Sequence, residues 1–322
     1  MKRILTACIG VMVMVLATGP VMAADNDIVI GLPNWTSAHV TGEVLKYIGE
    51  NDLGLKIGTV RSSNPVIFKA MHEGKGGIDV HPEVWMPNQA NLAKKYIEEA
   101  KTVEFAKRPY EARQGVCATK HTVETLGIKS VFDLVDPVVS KKFDTNGDGK
   151  GEFWPGAHGW SSTNVEKVKA REYGYDQFWE LVELDDTIHY AKMDKAGKTN
   201  GFYLGVCQEP HAIFAMQELI WLEEPPYNEA AWKMVQPTDD PEWFQKSKVA
   251  TAWPSTKLRI AFSKTLYKRV PEFAKLLNTI NMNTELVAGW TYMVAVDGKT
   301  PEVAAKEWVD ANRNIVDKWL GL

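Results

Sequence analysis

The chain has 322 residues, of which 45% are hydrophobic and 24% are charged. A chain of this length and composition can bury one or two hydrophobic cores, which excludes an intrinsically disordered tail. The formal net charge is -4 at pH 7, so the surface is a poor partner for nucleic acid.

The first residues have the pattern of a secretory signal peptide. Lys2 and Arg3 precede an apolar run over residues 4–16, and Ala23 ends a small-residue cleavage pattern. We expect removal of residues 1–23, which changes the formal net charge from -4 to -6. The run is short for a membrane span, and no cysteine stands at the cleavage point for a lipid anchor. These features predict a periplasmic protein without a lipid anchor.

Strand and helix patterns alternate along the first part of the mature chain. The predicted elements are strand 27–31, helix 39–50, strand 56–60, helix 65–73 and strand 78–80. This alternation is typical of a parallel α/β sheet.

A second α/β pattern begins near Gln114. Its predicted elements are strand 115–118, strand 201–207, helix 211–222, strands 232–235 and 257–262, and helices 271–277 and 301–320. Two α/β lobes joined by two crossovers explain this order. The predicted first lobe comprises residues 24–112 and 233–322, and the second lobe comprises residues 113–232.

Polar and aromatic residues directly follow the strand predicted at residues 78–80. The sequence there continues as HPEVWMPN, and ligands of parallel sheets bind beyond the carboxyl ends of strands. We predict a strand-end loop that offers Trp85 to a cleft between the lobes and is stiffened by its prolines. His81 and Glu83 are predicted to orient this loop or to contact the ligand.

Four of the twelve tryptophans lie in loops beside Pro, Gly or Asn: Trp35, Trp85, Trp154 and Trp160. Each alone is compatible with core packing, but loops carry function more often than cores do. Indole faces bind organic cations with on the order of 1 to 2 kcal/mol each when desolvated. Several such faces supply much of the ~8 kcal/mol of micromolar binding. Together they predict a site for an organic cation.

Residues 144–152, DTNGDGKGE, match the start of a calcium-binding loop. The candidate oxygen ligands stand at loop positions 1, 3, 5, 7 and 9: Asp144, Asn146, Asp148, the carbonyl of Lys150 and Glu152. Position 12 is Pro155, so the bidentate glutamate of an EF-hand is missing. We predict a structural Ca²⁺ site, and a solvated turn is the alternative.

The stretch CQEPH at residues 207–211 places a cysteine near a histidine. Pro210 disfavours a shared helical face, no orienting side chain is identifiable, and no phosphate loop or zinc spacing occurs. A secreted hydrolase using Cys207 and His211 is therefore a weak rival, as is a calcium-dependent adhesion module. Cys117 and Cys207 could instead form a disulfide in an oxidising compartment.

With Asn34-Trp35, PEVWMP at residues 82–87, the loop at 144–149 and Pro210-His211 in view, the chain resembles glycine betaine-type periplasmic substrate-binding proteins of ABC importers. The resemblance covers nearly all of the mature chain. It implies a monomeric, non-enzymatic receptor with two hinged α/β lobes, which closes on a methylated ammonium compound in a tryptophan box and delivers it to a permease in the inner membrane. Trp35 and Trp85 would come from the first lobe and Trp154 or Trp160 from the second.

The chain departs from the common Trp-x-Pro-His-Trp pattern of this family, because residues 208–212 read QEPHA. His211 remains and would hold a ligand carboxylate, while Trp253 is the candidate for the missing wall.

Among the subfamilies, the chain is most similar to the trimethylamine N-oxide binders, which combine a calcium loop, a tryptophan box and a pocket glutamate. We match Glu152 to that glutamate, although it is also a candidate calcium ligand, and Glu83 or Glu209 are the substitutes. The implied ligand is trimethylamine N-oxide, followed by glycine betaine and then by choline or carnitine.

Overall fold

A computed structural model describes residues 26–322; the predicted signal peptide lies outside them. The strands of this part of the chain are β1 (Ile28–Leu32), β2 (Ile57–Arg61), β3 (Val80–Met86), β4 (Val103–Phe105), β5 (Tyr110–Thr119), β6 (Gly151–Phe153), β7 (Trp179–Leu181), β8 (Leu204–Glu209), β9 (Leu219–Trp221), β10 (Trp232–Lys233), β11 (Lys248–Val249) and β12 (Thr256–Ser263).

The α-helices in the same range are α1 (Thr36–Asp52), α2 (Asn64–Glu73), α3 (Ala90–Ala93), α4 (Lys120–Leu126), α5 (Pro137–Ser140), α6 (Ser161–Tyr173), α7 (Asp186–Thr199), α8 (Ile213–Met216), α9 (Trp243–Lys246), α10 (Leu266–Arg269), α11 (Pro271–Thr279), α12 (Thr284–Ala295), α13 (Pro301–Ala311) and α14 (Arg313–Leu320). A π-helical turn at Lys94–Glu99 and short 3₁₀ turns at Val131–Val135, Lys141–Phe143 and Glu229–Ala231 complete the helical segments.

One sheet runs through both lobes. Its strand order is β2-β1-β3-β12-β5-β8, with β4 also pairing with β12 and β9 with β5. β1 is parallel to β2 and β3, whereas β12 is antiparallel to β3 and β5 is antiparallel to β12 and β8. The predicted two-lobed α/β fold is confirmed.

The first crossover between the lobes is β5. Its residues 110–112 pair with β12, and its residues 113–118 pair with β8. The partner therefore changes at the position where the first lobe was predicted to end.

The return crossover differs from the predicted boundary at residue 233. Val249 and Trp253 share a hydrophobic cluster with Val165 and Val168 of α6 in the second lobe. The chain enters β12 only at Thr256. Residues 233–253 therefore pack on the second lobe, because α6 presents an apolar surface that this segment covers.

The segment predicted as a strand-end loop after residue 80 is a strand. β3 continues to Met86 because β12 pairs with it along its length, from Phe262 opposite Val80 to Lys257 opposite Met86. A register shift on β12 between Arg259 and Ala261 lies opposite the proline of β3. Proline occurs in strands at such irregularities, because it has no N–H for the ladder.

Two predicted helices are also shorter than expected. The segment 211–222 contains the short helix α8 and then β9, which is recruited as an edge partner of β5. The segment 301–320 divides into α13 and α14 at Asn312. In both cases hydrophobic periodicity identified the buried face but not the break in the helix.

The predicted helix after β1 is present and slightly longer than expected. Val40, Val44, Leu45 and Ile48 are fully buried on α1, as their helical spacing predicts. Gly42 allows α1 to lie close to β1, since a Cβ atom there would stand 2.4 Å from a methyl carbon of Leu32. This packing fixes the start of α1, and with it Trp35, at the end of β1.

A disulfide joins Cys117 of β5 to Cys207 of β8, with their Cα atoms 5.7 Å apart. The two strands pair antiparallel, with Gly115 opposite Cys207 and Cys117 opposite Gly205. The bond lies among buried residues of the second lobe. It occupies the cysteine that a thiol hydrolase would need, so that rival function is excluded in this structure.

Candidate ligand-binding site

A small cavity lies between the two lobes. Three tryptophans line it: Trp35 and Trp85 from the first lobe and Trp160 from the second. The polar residues of its wall are Asn64, Asn88, Gln89, Ser161, Ser162 and Gln208. A largely aromatic wall with a few convergent polar groups is the usual composition of a site for a small organic ligand.

The two lobes touch directly beside this cavity. The Trp35 and Trp160 rings meet edge to face, with their centroids 5.8 Å apart. The indole Nε1–H of Trp160 donates to Asn34 Oδ1 at 2.8 Å. The backbone N–H of Thr36 donates to Asp186 Oδ2 at 3.2 Å, and the Thr36 hydroxyl lies 3.4 Å from the same oxygen. These contacts close the cleft around the cavity.

The buried carboxylate of Glu83 holds both tryptophans of the first lobe. Its Oε1 accepts hydrogen bonds from Trp35 Nε1 at 2.9 Å, from Trp85 Nε1 at 2.9 Å and from Ser37 Oγ at 2.8 Å. The Tyr110 hydroxyl lies 3.4 Å from Oε2. Burial raises the pKa of Glu83 above its ordinary value, and the hydrogen bonds oppose that rise. Glu83 therefore positions the indoles rather than lining the cavity.

His81 lies beside Glu83 on β3 and is neutral. Burial lowers the pKa of His81 to about 3. Its Nδ1 accepts from the Glu83 backbone N–H at 3.2 Å, and its Nε2 lies 2.9 Å from Asn64 Oδ1. The ring thus connects β3 to the start of α2. It provides no positive charge for the neighbouring carboxylate.

The N-terminus of α6 opens onto the cavity. Trp160 is the residue before the helix, and Ser161 and Ser162 are its first residues. Both serines line the cavity. The first N–H groups of a helix have no partner within the helix and carry a partial positive charge. The indole of Trp160 has no acceptor oxygen to cap them, so they are suited to a negatively charged ligand oxygen.

Trp154 lies outside the cavity and packs against Trp160. Its ring meets Trp160 edge to face at 5.7 Å and stacks on His189 at 3.8 Å. Its Nε1–H donates to the Leu184 carbonyl at 2.9 Å. Of the two second-lobe tryptophans that sequence reasoning offered, Trp160 reaches the cavity, and Trp154 fixes the orientation of Trp160.

Glu152 does not line the tryptophan cavity. Its carboxylate accepts from the Thr145 hydroxyl, with distances of 2.7 Å to Oε1 and 2.6 Å to Oε2. Together with Thr145 and Tyr203 it borders a different hollow in the second lobe. Phe153 and Trp154 border the same hollow, which is separate from the tryptophan cavity.

Trp253 and His211 also lie away from the cavity. The Trp253 Nε1–H donates to Glu166 Oε1 at 2.6 Å, and the ring packs against α6. The His211 ring stacks on Tyr190 at 3.6 Å, and its Nδ1 accepts from the Ile213 backbone N–H. Burial lowers the pKa of His211 to about 3. The predicted fourth wall and carboxylate contact are therefore not assembled by these two residues.

The predicted calcium loop is folded onto its own backbone. The Asp144 carboxylate accepts from the Gly147 and Gly149 N–H groups at 2.6 and 2.9 Å, and Asn146 Oδ1 accepts from Asp148 N at 2.9 Å. Within residues 26–322, no group of three or more His, Cys, Asp and Glu side chains is arranged to hold a metal. These contacts do not preassemble a ligand set from acidic side chains. The Ca²⁺ site, with Lys150 and Glu152 among its ligands, stays a prediction.

Sequence reasoning missed most of the polar wall. Asn64, Asn88 and Gln89 follow the ends of β2 and β3, the positions where the strand-end rule places ligands. Gln89 is 3% exposed, and its Oε1 has no hydrogen-bond partner within the described part of the chain. The same rule, applied to amides as well as indoles, would have identified them. Gln208 was inside the stretch singled out for its histidine.

The sequence profile of the OpuAC family, described as the substrate binding domain of ABC-type glycine betaine transport system, matches residues 26–311. The chain belongs to this family. The family profile describes a substrate-binding domain of a transport system and not an enzyme. No helix within residues 26–322 combines the length and the apolar character needed to cross a membrane.

Two curated relatives of the family are similar to this chain. Identity is 24% to the glycine betaine-binding periplasmic protein OusX of Dickeya dadantii (strain 3937) and 23% to the glycine betaine/proline betaine-binding periplasmic protein of Salmonella typhimurium (strain LT2). Each match covers 65% of this chain and 64% of the relative. The matched region thus spans slightly less than two thirds of these proteins.

Solved structures show the same fold. A choline binding protein of an ABC transporter in complex with choline has a TM-score of 0.70 and 18% identity, with 91% of each chain covered. Lactococcal OpuAC in its closed-liganded conformation with glycine betaine has a TM-score of 0.66 and 22% identity, with 91% of this chain and 98% of that chain covered. At these identities the likeness establishes the two-lobed architecture and not the ligand.

Proposed function

We propose that this protein is the periplasmic receptor of an ABC importer and captures a small methylated ammonium compound between its lobes. The observation that carries the proposal is the meeting of Trp35, Trp85 and Trp160, from both lobes, around one small cavity. Methyl groups on a quaternary nitrogen carry its positive charge and bind to indole faces. Closure of the lobes completes the box only when both contribute rings.

The far end of the ligand carries a negative oxygen in this proposal. The N-terminus of α6, with Ser161 and Ser162, supplies N–H groups on the cavity wall. Such groups stabilise an oxide or a carboxylate. Choline has a neutral hydroxyl at that end and gains less from them. A dipolar ligand therefore fits this wall better than choline does.

Trimethylamine N-oxide is our first candidate, because it is the smallest dipolar ligand of this class and the cavity is small. Glycine betaine is the second candidate, because its carboxylate suits the α6 N-terminus and the family is described by its transport. Because Glu152 lies outside the cavity, the oxide would be bound by helix N–H groups and by Gln208. A monomeric receptor that delivers its ligand to a membrane permease completes the proposal.

Calorimetric titration of the ligand-free mature protein with trimethylamine N-oxide, glycine betaine and choline tests this function. We expect micromolar binding of a dipolar ligand and binding of choline that is weaker by tenfold or more, or about 1.4 kcal/mol. Glu152→Gln serves as the control and leaves the affinity unchanged, because this carboxylate does not border the cavity. Absence of binding by all three ligands would contradict the proposed function.

A further inference from the structure

Glu83 bears a carboxylate for which the structure offers no counter-ion. It is fully buried on β3, and in the described residues no Lys, Arg or His nitrogen lies within 4.0 Å of its oxygens. The neighbouring His81 is neutral, since both ring nitrogens take part in hydrogen bonds that a neutral imidazole satisfies. Isolated buried charges are costly, so an unpaired carboxylate in this position calls for an explanation.

The hydrogen bonds to Glu83 converge on one atom. Oε1 accepts from two indole N–H groups and one hydroxyl, all within 2.9 Å. A negatively charged oxygen accepts several hydrogen bonds more strongly than a neutral one. The donors of this cluster therefore favour the ionised form and oppose burial, which favours the neutral one.

The two indoles connect that negative charge to the cavity. Trp35 and Trp85 donate their N–H groups to Glu83 and line the cavity with the same rings. An indole whose N–H binds an anion carries more negative charge on its face, and cation–π attraction is electrostatic. In a site from which water is excluded, the carboxylate behind the rings also attracts a cation in front of them directly.

We propose that Glu83 is a specificity-determining residue, whose negative charge makes the tryptophan cavity select a positively charged methyl head over an uncharged group of the same shape. The bound ligand then acts as the counter-ion that residues 26–322 do not supply. This inference rests on the proposed function, because it concerns the same cavity. It adds that selection acts through charge, and it names the residue that supplies the charge.

Carbon isosteres separate charge from shape. In 3,3-dimethylbutanoate a carbon replaces the nitrogen of glycine betaine and the carboxylate is kept. tert-Butanol is the uncharged analogue of trimethylamine N-oxide, with a carbon for the nitrogen and a hydroxyl for the oxide. The oxygen difference is the same for every protein variant, so a change of the ratio between variants reports the head group. The measured quantity is the affinity of the ammonium compound divided by the affinity of its carbon analogue. It is determined for each pair in which the ammonium compound binds. We expect wild-type protein to prefer the ammonium member by tenfold or more, the size of a desolvated cation–π contribution.

Three variants test the residue. Glu83→Gln retains the side-chain shape and removes the charge, and we expect it to lower the affinity ratio about tenfold. Glu83→Asp retains the charge, so the ratio persists even if both affinities fall. Glu166→Gln is the matched control, because Glu166 is also fully buried and also accepts an indole N–H, from Trp253, outside the cavity. It should leave the ratio unchanged.

An equal loss of both affinities in Glu83→Gln, with the ratio preserved, would show a purely structural role and overturn the inference while leaving the proposed function intact. If that variant does not fold, the wild-type ratio decides. A preference of less than about threefold overturns charge selection, and a preference of tenfold or more together with its retention in Glu83→Asp supports it. Absence of binding by both ammonium compounds overturns this inference and the proposed function together.

Discussion

Glu83 in the first lobe and Glu166 in the second lobe are both fully buried, and each accepts a hydrogen bond from an indole N–H. Glu166 Oε1 lies 3.4 Å from the ammonium of Lys169, which also pairs with Glu224 at 2.5 Å. Burial by itself lowers the pKa of Lys169, but the two carboxylates outweigh burial and raise it above its ordinary value. In the described structure Glu83 has no such cation.

The same hydrogen bond between a buried carboxylate and an indole therefore has different roles in the two lobes. In the second lobe the charge of Glu166 is compensated within the protein, so its tryptophan, Trp253, is part of the packing between α6 and the segment that returns to β12. In the first lobe Glu83 has no cation beside it among the described residues and lies behind the tryptophans that line the cavity. The presence or absence of an internal counter-ion separates a structural carboxylate from one that contributes to binding.

The largest effect should come from removing the internal counter-ion. Lys169→Met leaves Glu166 and Glu224 buried without a cation, and breaking a buried ion pair in this way costs about 3 to 5 kcal/mol. Urea unfolding should show this loss, whereas ligand affinity of the folded variant stays unchanged. Lys167→Met on the same helix is the control, because its partner Glu183 is partly exposed, and it should cost less than about 1 kcal/mol. Equal losses in the two variants would refute the distinction.

Acid should lower the stability of the folded protein through His81, the neighbour of Glu83 on β3. The folded pKa of His81 is about 3, below the ~6.5 of an unfolded chain. The unfolded state therefore binds a proton first, and the stability is lost as the pH falls from about 6.5 towards 3. At pH 5 this proton uptake lowers the free energy of unfolding by about 2 kcal/mol relative to neutral pH.

The comparison between wild-type protein and His81→Asn isolates this effect. Asparagine can still accept from the Glu83 N–H but does not titrate. Unfolding free energies measured from pH 8 to pH 5 should fall more steeply for wild-type protein than for the variant. Parallel pH profiles would mean that the buried imidazole is not the source of the acid sensitivity.

A tryptophan that lines the cavity and a tryptophan that packs on α6 should respond differently to truncation. Trp85→Leu removes a cavity wall and should weaken binding of the ammonium ligand by about five- to thirtyfold, corresponding to the loss of ~1 to 2 kcal/mol of cation–π attraction. Trp253→Leu should lower the melting temperature but change the affinity by less than about twofold. Calorimetry and thermal unfolding of both variants check this. Strong loss of affinity in Trp253→Leu would place that ring in the site after all.

The loop from residue 144 to residue 152 offers the smallest expected effect and is independent of both carboxylates. If it binds Ca²⁺, a tenfold excess of the ion over its Kd stabilises the folded state by about 1.4 kcal/mol. The melting temperature should rise by a few degrees on adding Ca²⁺ after chelation, and Asp144→Ala should abolish the rise. An identical melting temperature with calcium and with chelator would leave the loop as a solvated turn.

Strand-end position was the informative signal for the site. Trp35 and Trp85 were placed at predicted strand ends, and both line the cavity. Trp160 also lines it, whereas Trp154, singled out by the same loop surroundings, packs against Trp160 instead. Trp253 has the same local surroundings but faces α6. Local sequence cannot separate these cases, because the side on which a loop tryptophan packs depends on an element far away in the chain.

The sequence by itself determined the alternation of strands and helices, the helical stripe of α1 and the family. These features depend on local periodicity and on residue types, which are visible within a short window. Tertiary structure decided the rest. It extended β3 by pairing it with β12, and it assigned residues 233–253 to the second lobe.

Tertiary structure also brought Glu83 under the indole of Trp35, which is 48 residues away in the chain. Hydrogen bonds and ion pairs between residues so distant in sequence leave no periodic trace. Only the folded chain shows which buried carboxylate has a cation beside it and which one lies behind the tryptophans of the cavity.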